Sequence, residues 1–111
     1  MIKDKYLRKR GGTAKAVNVS CSNCGKIIFV YQKDGPGWLK RCYLNRILSP
    51  EEYASMHKNP AIKEPKDMKN LICSKCGTVI ASPMKHKDGR LAYHLIRKSF
   101  KRTLNKSKEY R

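Results

Sequence analysis

Two cysteine pairs of equal spacing are the groups in this sequence best suited to chemistry. Two residues separate Cys21 from Cys24, two separate Cys73 from Cys76, and a glycine follows each pair. Four thiolates supplied in this way match the closed tetrahedral ligand set of one structural zinc ion. Glycine suits the tight turn after each pair, because it takes a left-handed conformation without steric cost. We therefore predict one zinc ion held by these four cysteines, with no open position for metal-based catalysis.

Two other uses of the cysteines stay open, namely disulfide bonds and a redox dithiol. A redox Cys-x-x-Cys normally follows a strand and opens a helix, and neither pair is followed by a helical pattern. The odd total of five cysteines agrees with a reducing compartment, in which thiols bind metal. The fifth, Cys42, lies in an apolar-rich run and is predicted to be a buried structural thiol.

The segments that follow the two cysteine pairs resemble each other. β-prone residues lie at 27–31 and at 78–81, and a Lys-Asp-Gly turn follows each of these runs, at 33–35 and at 87–89. A second apolar run comes after each turn. Asp-Gly pairs are turn signals between strands. The sequence thus predicts a small, mainly-β zinc-binding domain over residues 17–96, with two hairpins around one zinc ion.

An insert over residues 48–70 separates the two halves. It opens with Ser49-Pro50-Glu51-Glu52, in which Ser49 can cap a helix and Glu52 can complete a capping box. The predicted helix ends near His57, and the prolines beyond it predict a loop over 61–70. Four of the eight acidic residues lie in 51–67, so we expect this near-neutral insert to face away from a polyanion.

Both ends of the chain are strongly basic. The chain has 26 Lys and Arg against 8 Asp and Glu, a formal net charge of +18 and a pI near 10.0, and 13 of the basic residues fall in the tails 1–16 and 97–111. Such runs repel themselves, which predicts flexible tails without a partner. Phe100 and Leu104 have helical spacing, which indicates a short helix in the second tail when it is bound. A charge this large indicates a nucleic-acid partner.

Aromatic residues lie among the basic ones, which indicates that the predicted nucleic-acid partner has unpaired bases that can stack on aromatic rings. Trp38 follows Gly35-Pro36-Gly37 and is expected to be exposed and able to stack on a base, whereas Phe29 and Tyr43 are expected in the core. RNA is preferred over DNA, because no strong recognition helix is visible. The candidate nucleic-acid contacts are Lys3, Lys5, Arg8, Lys9, Arg10, Lys15, Trp38, Lys40, Arg41, Arg97, Lys98, Lys101, Arg102 and Lys106.

No motif in the sequence indicates an enzyme, a membrane span or export. An HNH or treble-clef nuclease would need histidines beside an acidic metal site, but no Asp-His pair lies on a strand after a cysteine pair and no acid cluster exists to hold magnesium. The histidines of the chain are His57, His86 and His94. They are predicted to be surface or RNA-contacting groups. No apolar run is long enough to span a bilayer, and the charged start lacks the apolar core of a signal peptide. We expect a non-enzymatic cytoplasmic protein without a small-molecule substrate.

The cysteine pairs also support a comparison with a known family. Cys21-Ser-Asn-Cys24-Gly25 and Cys73-Ser-Lys-Cys76-Gly77, each followed by β-prone residues, resemble the knuckles of zinc-ribbon proteins, and the basic tails resemble those of ribosomal zinc-ribbon proteins. The resemblance implies a zinc ribbon that binds ribosomal RNA. The alternative is a DNA-binding zinc-ribbon transcriptional regulator, and an HNH or treble-clef nuclease is a third, less favoured candidate. The long insert departs from the short loops of most ribbons.

Overall fold

The computed structural model describes residues 15–35 and 37–105, which form eight strands and short helical turns. The strands are β1 (Lys15–Cys21), β2 (Ile27–Lys33), β3 (Arg41–Tyr43), β4 (Ile47–Ser49), β5 (Leu71–Ile72), β6 (Val79–Lys85), β7 (Leu91–Leu95) and β8 (Phe100–Leu104). The helix α1 covers Glu51–Ala54, and 3₁₀ turns cover Leu44–Arg46, Met56–Lys58 and Pro65–Asp67. The protein is small and mainly β, as the sequence predicts.

The strands form two four-stranded antiparallel sheets. The first sheet has the order β4-β2-β1-β8 and the second the order β3-β7-β6-β5. Each cysteine pair forms the turn of a hairpin, since β1 pairs with β2 across the first pair and β5 pairs with β6 across the second. The two Cys-x-x-Cys-Gly segments, here called the first knuckle (residues 21–25) and the second knuckle (residues 73–77), therefore occupy equivalent places in the two sheets.

One of the two predicted Lys-Asp-Gly hairpins is confirmed and the other is wrong. The turn at 87–89 joins β6 to β7, and the His86 N–H donates to the Arg90 carbonyl at 2.8 Å. After the turn at 33–35, however, β2 pairs with β4, while β3 crosses to the second sheet and pairs with β7. Seven residues, 34–40, connect β2 to β3. A connection of that length does not fix a hairpin register as a two-residue turn does.

The insert is helical where predicted, but its helix begins differently. Ser49 lies in β4 and pairs with Val30, so it cannot serve as the N-cap; Pro50 occupies that position without a side-chain cap. The helical stretch α1 and the following 3₁₀ turn end at Lys58, close to the predicted end at His57. The insert also contributes to the core, which it contacts through Tyr53, Ala54, Met56, Ile62 and Met68.

Strand β8 corrects the prediction for the second basic tail. Phe100 and Leu104 lie in a strand and not in a helix, with Phe100 opposite Cys21 and Leu104 opposite Val17 on β1. The outer edge of β1 offers backbone N–H and C=O groups that need partners, and β8 supplies them. The ladder continues one residue further, where the Asn105 N–H donates to the Ala16 carbonyl at 2.9 Å.

The core is shared by the two sheets and the insert. Phe29, Cys42 and Tyr43 are all buried, which confirms the three predictions made for them. The Phe29 ring meets Tyr53 of α1 edge-on, with 5.8 Å between the ring centroids. Edge-to-face aromatic contacts of this kind stabilise packing beyond the buried area alone. Burial also raises the pKa of the Cys42 thiol, so this cysteine stays neutral.

Tyr31 links the two sheets through one buried hydrogen bond. The Tyr43 N–H of β3 donates to the Tyr31 hydroxyl of β2 at 2.9 Å, and burial raises the pKa of Tyr31. The substitution Tyr31→Phe leaves this N–H without its acceptor, and we expect it to lower the free energy of unfolding by about 1–3 kcal/mol. Urea denaturation of the metal-loaded protein measures this loss. Tyr53→Phe is the matched control, and an equal loss in both variants would contradict the assignment.

Candidate metal centre

The structure brings the four predicted ligands into one cluster. Each of Cys21, Cys24, Cys73 and Cys76 offers its Sγ, and the four sulfur atoms lie within 4.8 Å of one another. Across the two knuckles, Cys21 Sγ lies 3.5 Å from Cys76 Sγ, and Cys24 Sγ lies 3.5 Å from Cys73 Sγ. All four are free thiols, far outside the roughly 2.05 Å of an S–S bond. The cluster could hold one metal ion, with all four ligands supplied by the protein.

The two knuckles share one backbone geometry. The Gly25 N–H donates to the Cys21 carbonyl at 2.9 Å, and the Gly77 N–H donates to the Cys73 carbonyl at 2.8 Å. Both glycines have positive φ, of 81° and 80°. A side chain at either position would be strained even though open space surrounds it, because the backbone conformation itself disfavours a Cβ. The glycines therefore position the two cysteines of each pair.

The surroundings of the cluster shift the pKa values of two of its cysteines in opposite directions. The Thr78 hydroxyl, 3.1 Å from Cys76 Sγ, and the Asn23 side chain lower the pKa of Cys76 to about 5. The Lys26 backbone N–H favours the Cys24 thiolate, but burial and the neighbouring sulfur atoms outweigh it and raise the pKa of Cys24 to about 11. Four thiolates at this spacing repel one another, so all four become anionic together only around a metal ion.

Three of the predicted nucleic-acid contacts meet on one surface, although 58 residues separate Trp38 from Arg97 in the sequence. The Trp38 side chain is 82% exposed, as predicted. The Arg97 guanidinium lies 6.0 Å from the centroid of its ring, and Arg102 Nη1 donates to the Gly37 carbonyl at 2.8 Å. We call Trp38, Arg97 and Arg102 the tryptophan surface. It combines an uncovered aromatic ring with two cations from β8 and the segment before it.

The other predicted contacts are distributed more widely. Lys40 is exposed and Arg41 half-buried beside Trp38, while Lys15 lies exposed at the start of β1. Lys98 lies next to the first knuckle, where its carbonyl accepts a hydrogen bond from the Ser22 hydroxyl at 2.7 Å. Lys101 is exposed opposite Ser20 on β1. Six further residues lie outside the described residues: Lys3, Lys5, Arg8, Lys9, Arg10 and Lys106.

A cavity next to Trp38 contains residues that sequence reasoning missed. It has a volume of about 360 Å³ and lies between the end of β2, the connection 34–40 and β3. Lys33, Asp34, Tyr43 and His86 line it together with Trp38, Lys40 and Arg41. No sequence signal marks Asp34 and His86 as neighbours, since Asp34 was assigned to the first Lys-Asp-Gly turn and His86 only to a surface or RNA-contacting role. The two turns meet because β3 pairs with β7.

The histidines do not form a site together. His57 and His94 are exposed on different elements. His86 Nδ1 lies 3.1 Å from Asp88, and its ring meets Tyr43 edge-on with 5.6 Å between the centroids. The Arg90 backbone N–H and guanidinium lower the pKa of Asp88 to about 2, so this carboxylate is ionised at neutral pH. In residues 15–35 and 37–105, the four cysteines are the one group of three or more side chains placed to hold a metal ion.

Comparisons of the chain with protein-family models, with curated proteins and with solved structures gave no match. None of the helices within the described ranges has the length and apolar character needed to cross a bilayer.

Proposed function

We propose that this protein is a non-enzymatic zinc-ribbon protein that binds RNA, in a ribosomal or ribosome-associated setting. The observation that carries the proposal is the tryptophan surface, an exposed indole with the Arg97 guanidinium near its ring and Arg102 bonded to the adjacent Gly37 carbonyl, on a chain of net charge +18. Stacking on an aromatic ring combined with cationic contacts to phosphate is the common way of gripping unpaired RNA.

Zinc is the proposed metal because the ligand set is four thiolates. Soft thiolate ligands in a tetrahedral arrangement suit zinc, and a site closed by four protein ligands is structural. The matched knuckles at the turns of two hairpins support the assignment to the zinc ribbons. Bound zinc would offset part of the negative charge of the four thiolates and join the first sheet to the second at this end of the molecule.

RNA is proposed ahead of duplex DNA on the basis of the helix content and charge. In the described part of the chain, α1 has four residues and begins with two acids, Glu51 and Glu52. A helix that reads the major groove is longer and basic. The near-neutral insert that contains α1 would instead face solvent or protein, while the strands and tails present the cations.

The first prediction from this function concerns salt. We expect the affinity for RNA to fall steeply with ionic strength, with a slope of log K against log salt of about −0.7 to −0.9 for each phosphate contact. Deleting residues 1–10 and 106–111 removes eight basic residues while leaving β1 and β8 in place. The truncated chain should therefore show weaker binding and a shallower slope in fluorescence anisotropy with labelled RNA.

The outcome that would contradict this prediction is an unchanged slope after truncation. The biological setting has its own test, since the native protein should sediment with ribosomal particles through a moderate-salt wash. Sequence-selective footprints on duplex DNA, with no sedimentation on ribosomes, would favour the transcriptional regulator.

A further inference from the structure

The cavity beside Trp38 has the dimensions of a site for one small ligand. Its volume of about 360 Å³ falls within the range of ligand sites, roughly 300–1,000 Å³. The exposed Trp38 lines it together with Lys40 and Arg41. An aromatic face next to cations is complementary to a molecule that joins a planar ring to an anion.

The acids near the cavity do not cancel its positive charge. Asp34 forms a buried ion pair with Arg46, in which both side chains are fully inaccessible to solvent. Asp88, close to the cavity through His86, is paired with the Arg90 guanidinium at 2.8 Å. Each carboxylate is thus matched by an arginine of its own. Lys40 and Arg41 add positive charge to the cavity beyond these pairs, so an anion is favoured there.

The walls of the cavity are held in place by the fold. The Arg46 ion pair anchors Asp34 at the beginning of the connection 34–40, and the Leu95 N–H donates to the Lys40 carbonyl at 3.0 Å at its end. Arg102 holds the middle of this connection through the Gly37 carbonyl. The Arg90 guanidinium packs on the Tyr43 ring, 3.8 Å from its centroid. Asp34, Gly37 and Lys40 are therefore each held by a contact to another element, which reduces the ordering that a ligand would have to impose around Trp38.

We propose that this cavity binds one unpaired nucleotide of single-stranded RNA, with the base stacked on Trp38 and the phosphate held by Lys40 and Arg41. The inference rests on the proposed RNA-binding function and deepens it, because it names the form of RNA that is recognised. A base paired within a duplex cannot offer its face to the indole, so the site distinguishes unpaired from paired nucleotides. The tails bind both forms through phosphate charge alone.

Trp38 fluorescence gives a direct test, because Trp38 is the single tryptophan of the chain. The metal-loaded full-length protein is titrated with the single-stranded octamer of adenylate and, separately, with an eight-base-pair RNA duplex. Anisotropy of the same labelled RNAs measures total binding in parallel. We expect the octamer to quench the tryptophan with the midpoint found by anisotropy, and the duplex to bind without comparable quenching.

The outcomes separate the two proposals. Binding of both RNAs without quenching, or equal quenching by both, overturns the nucleotide site and leaves the RNA-binding function standing. Absence of binding by either RNA in anisotropy overturns the RNA-binding function as well.

Two substitutions test the two halves of the site. Trp38→Ala should weaken binding of the octamer by about 5- to 150-fold, the usual effect of removing one stacking partner, with little effect on the duplex. Lys40→Gln should reduce the salt slope for the octamer by about 0.7, the share of one phosphate contact. A Trp38→Ala variant that loses both RNAs equally while its urea denaturation is unchanged would overturn stacking.

Lys69→Gln is the matched control for Lys40→Gln. Lys69 is exposed and precedes β5. Strands β5 and β3 are the two edges of the second sheet, and three strand spacings put them about 14 Å apart. The Lys69→Gln variant should leave the salt slope for the octamer unchanged. Equal changes in the two lysine variants would overturn the phosphate contact in the cavity.

Discussion

Removal of the metal is expected to unfold most of the protein. The cysteine cluster joins the β1/β2 hairpin of one sheet to the β5/β6 hairpin of the other, and β5 has only two residues. Structural zinc in small modules contributes about 10–16 kcal/mol of apparent binding free energy, whereas a whole domain is stable by about 5–15 kcal/mol. Chelation should therefore abolish the cooperative unfolding transition and the dispersion of amide signals in NMR spectra.

Elemental analysis and two cysteine variants refine this prediction. We expect one zinc ion per chain in the native protein and the same loss of structure in Cys73→Ser as in the chelated protein. Cys42→Ala is the control, because this cysteine is buried away from the cluster and should keep the metal at full stoichiometry. Two zinc ions per chain, or a folded protein after complete chelation, would show that the site is misassigned.

The second large effect is expected from Arg46→Met. The Arg46 side chain is completely buried and pairs with Asp34, which is itself buried. Removing one partner of a buried ion pair typically costs about 3–5 kcal/mol, because the other charge stays buried and loses that partner. The metal-loaded variant should lose that amount in urea denaturation, a large part of the stability of a small domain.

The double variant Asp34→Asn/Arg46→Met separates charge from packing. It removes both charges, so most of the stability lost in Arg46→Met should return. If the double variant is as unstable as Arg46→Met alone, the arginine contributes through its packing and the ion-pair interpretation is wrong.

The cysteine cluster was predictable from the sequence because its information is local. The cysteine spacing and the glycines at positive φ determine the geometry of each knuckle within five residues. The four-cysteine cluster then requires only that the two knuckles lie next to each other. The turn at 87–89 was predictable for the same reason. Its two strands are adjacent along the chain, and their register follows from the turn itself.

The remaining features depend on contacts between distant segments. The first Lys-Asp-Gly turn carries the same signal as the second. However, Asp34 forms a buried ion pair with Arg46 of the 3₁₀ turn after β3, and β3 pairs in the other sheet. Arg46 reads as a surface residue in sequence, since arginine is rarely buried without a partner. Strand β8 is likewise determined by the open edge of β1 and not by its own pattern, which is why Phe100 and Leu104 suggested a helix.

The pairing of β8 with β1 also has a consequence for avidity. The Asn105 N–H bonds to the Ala16 carbonyl, so the chain enters and leaves the first sheet at the same place. Ala16 and Asn105, next to which the two ends of the sequence are attached, are therefore neighbours. Two binding segments attached at one point raise each other's effective concentration on a shared polyanion. Occupation of one segment should strengthen the other, so that the two ends act as a single bivalent ligand for the phosphate backbone.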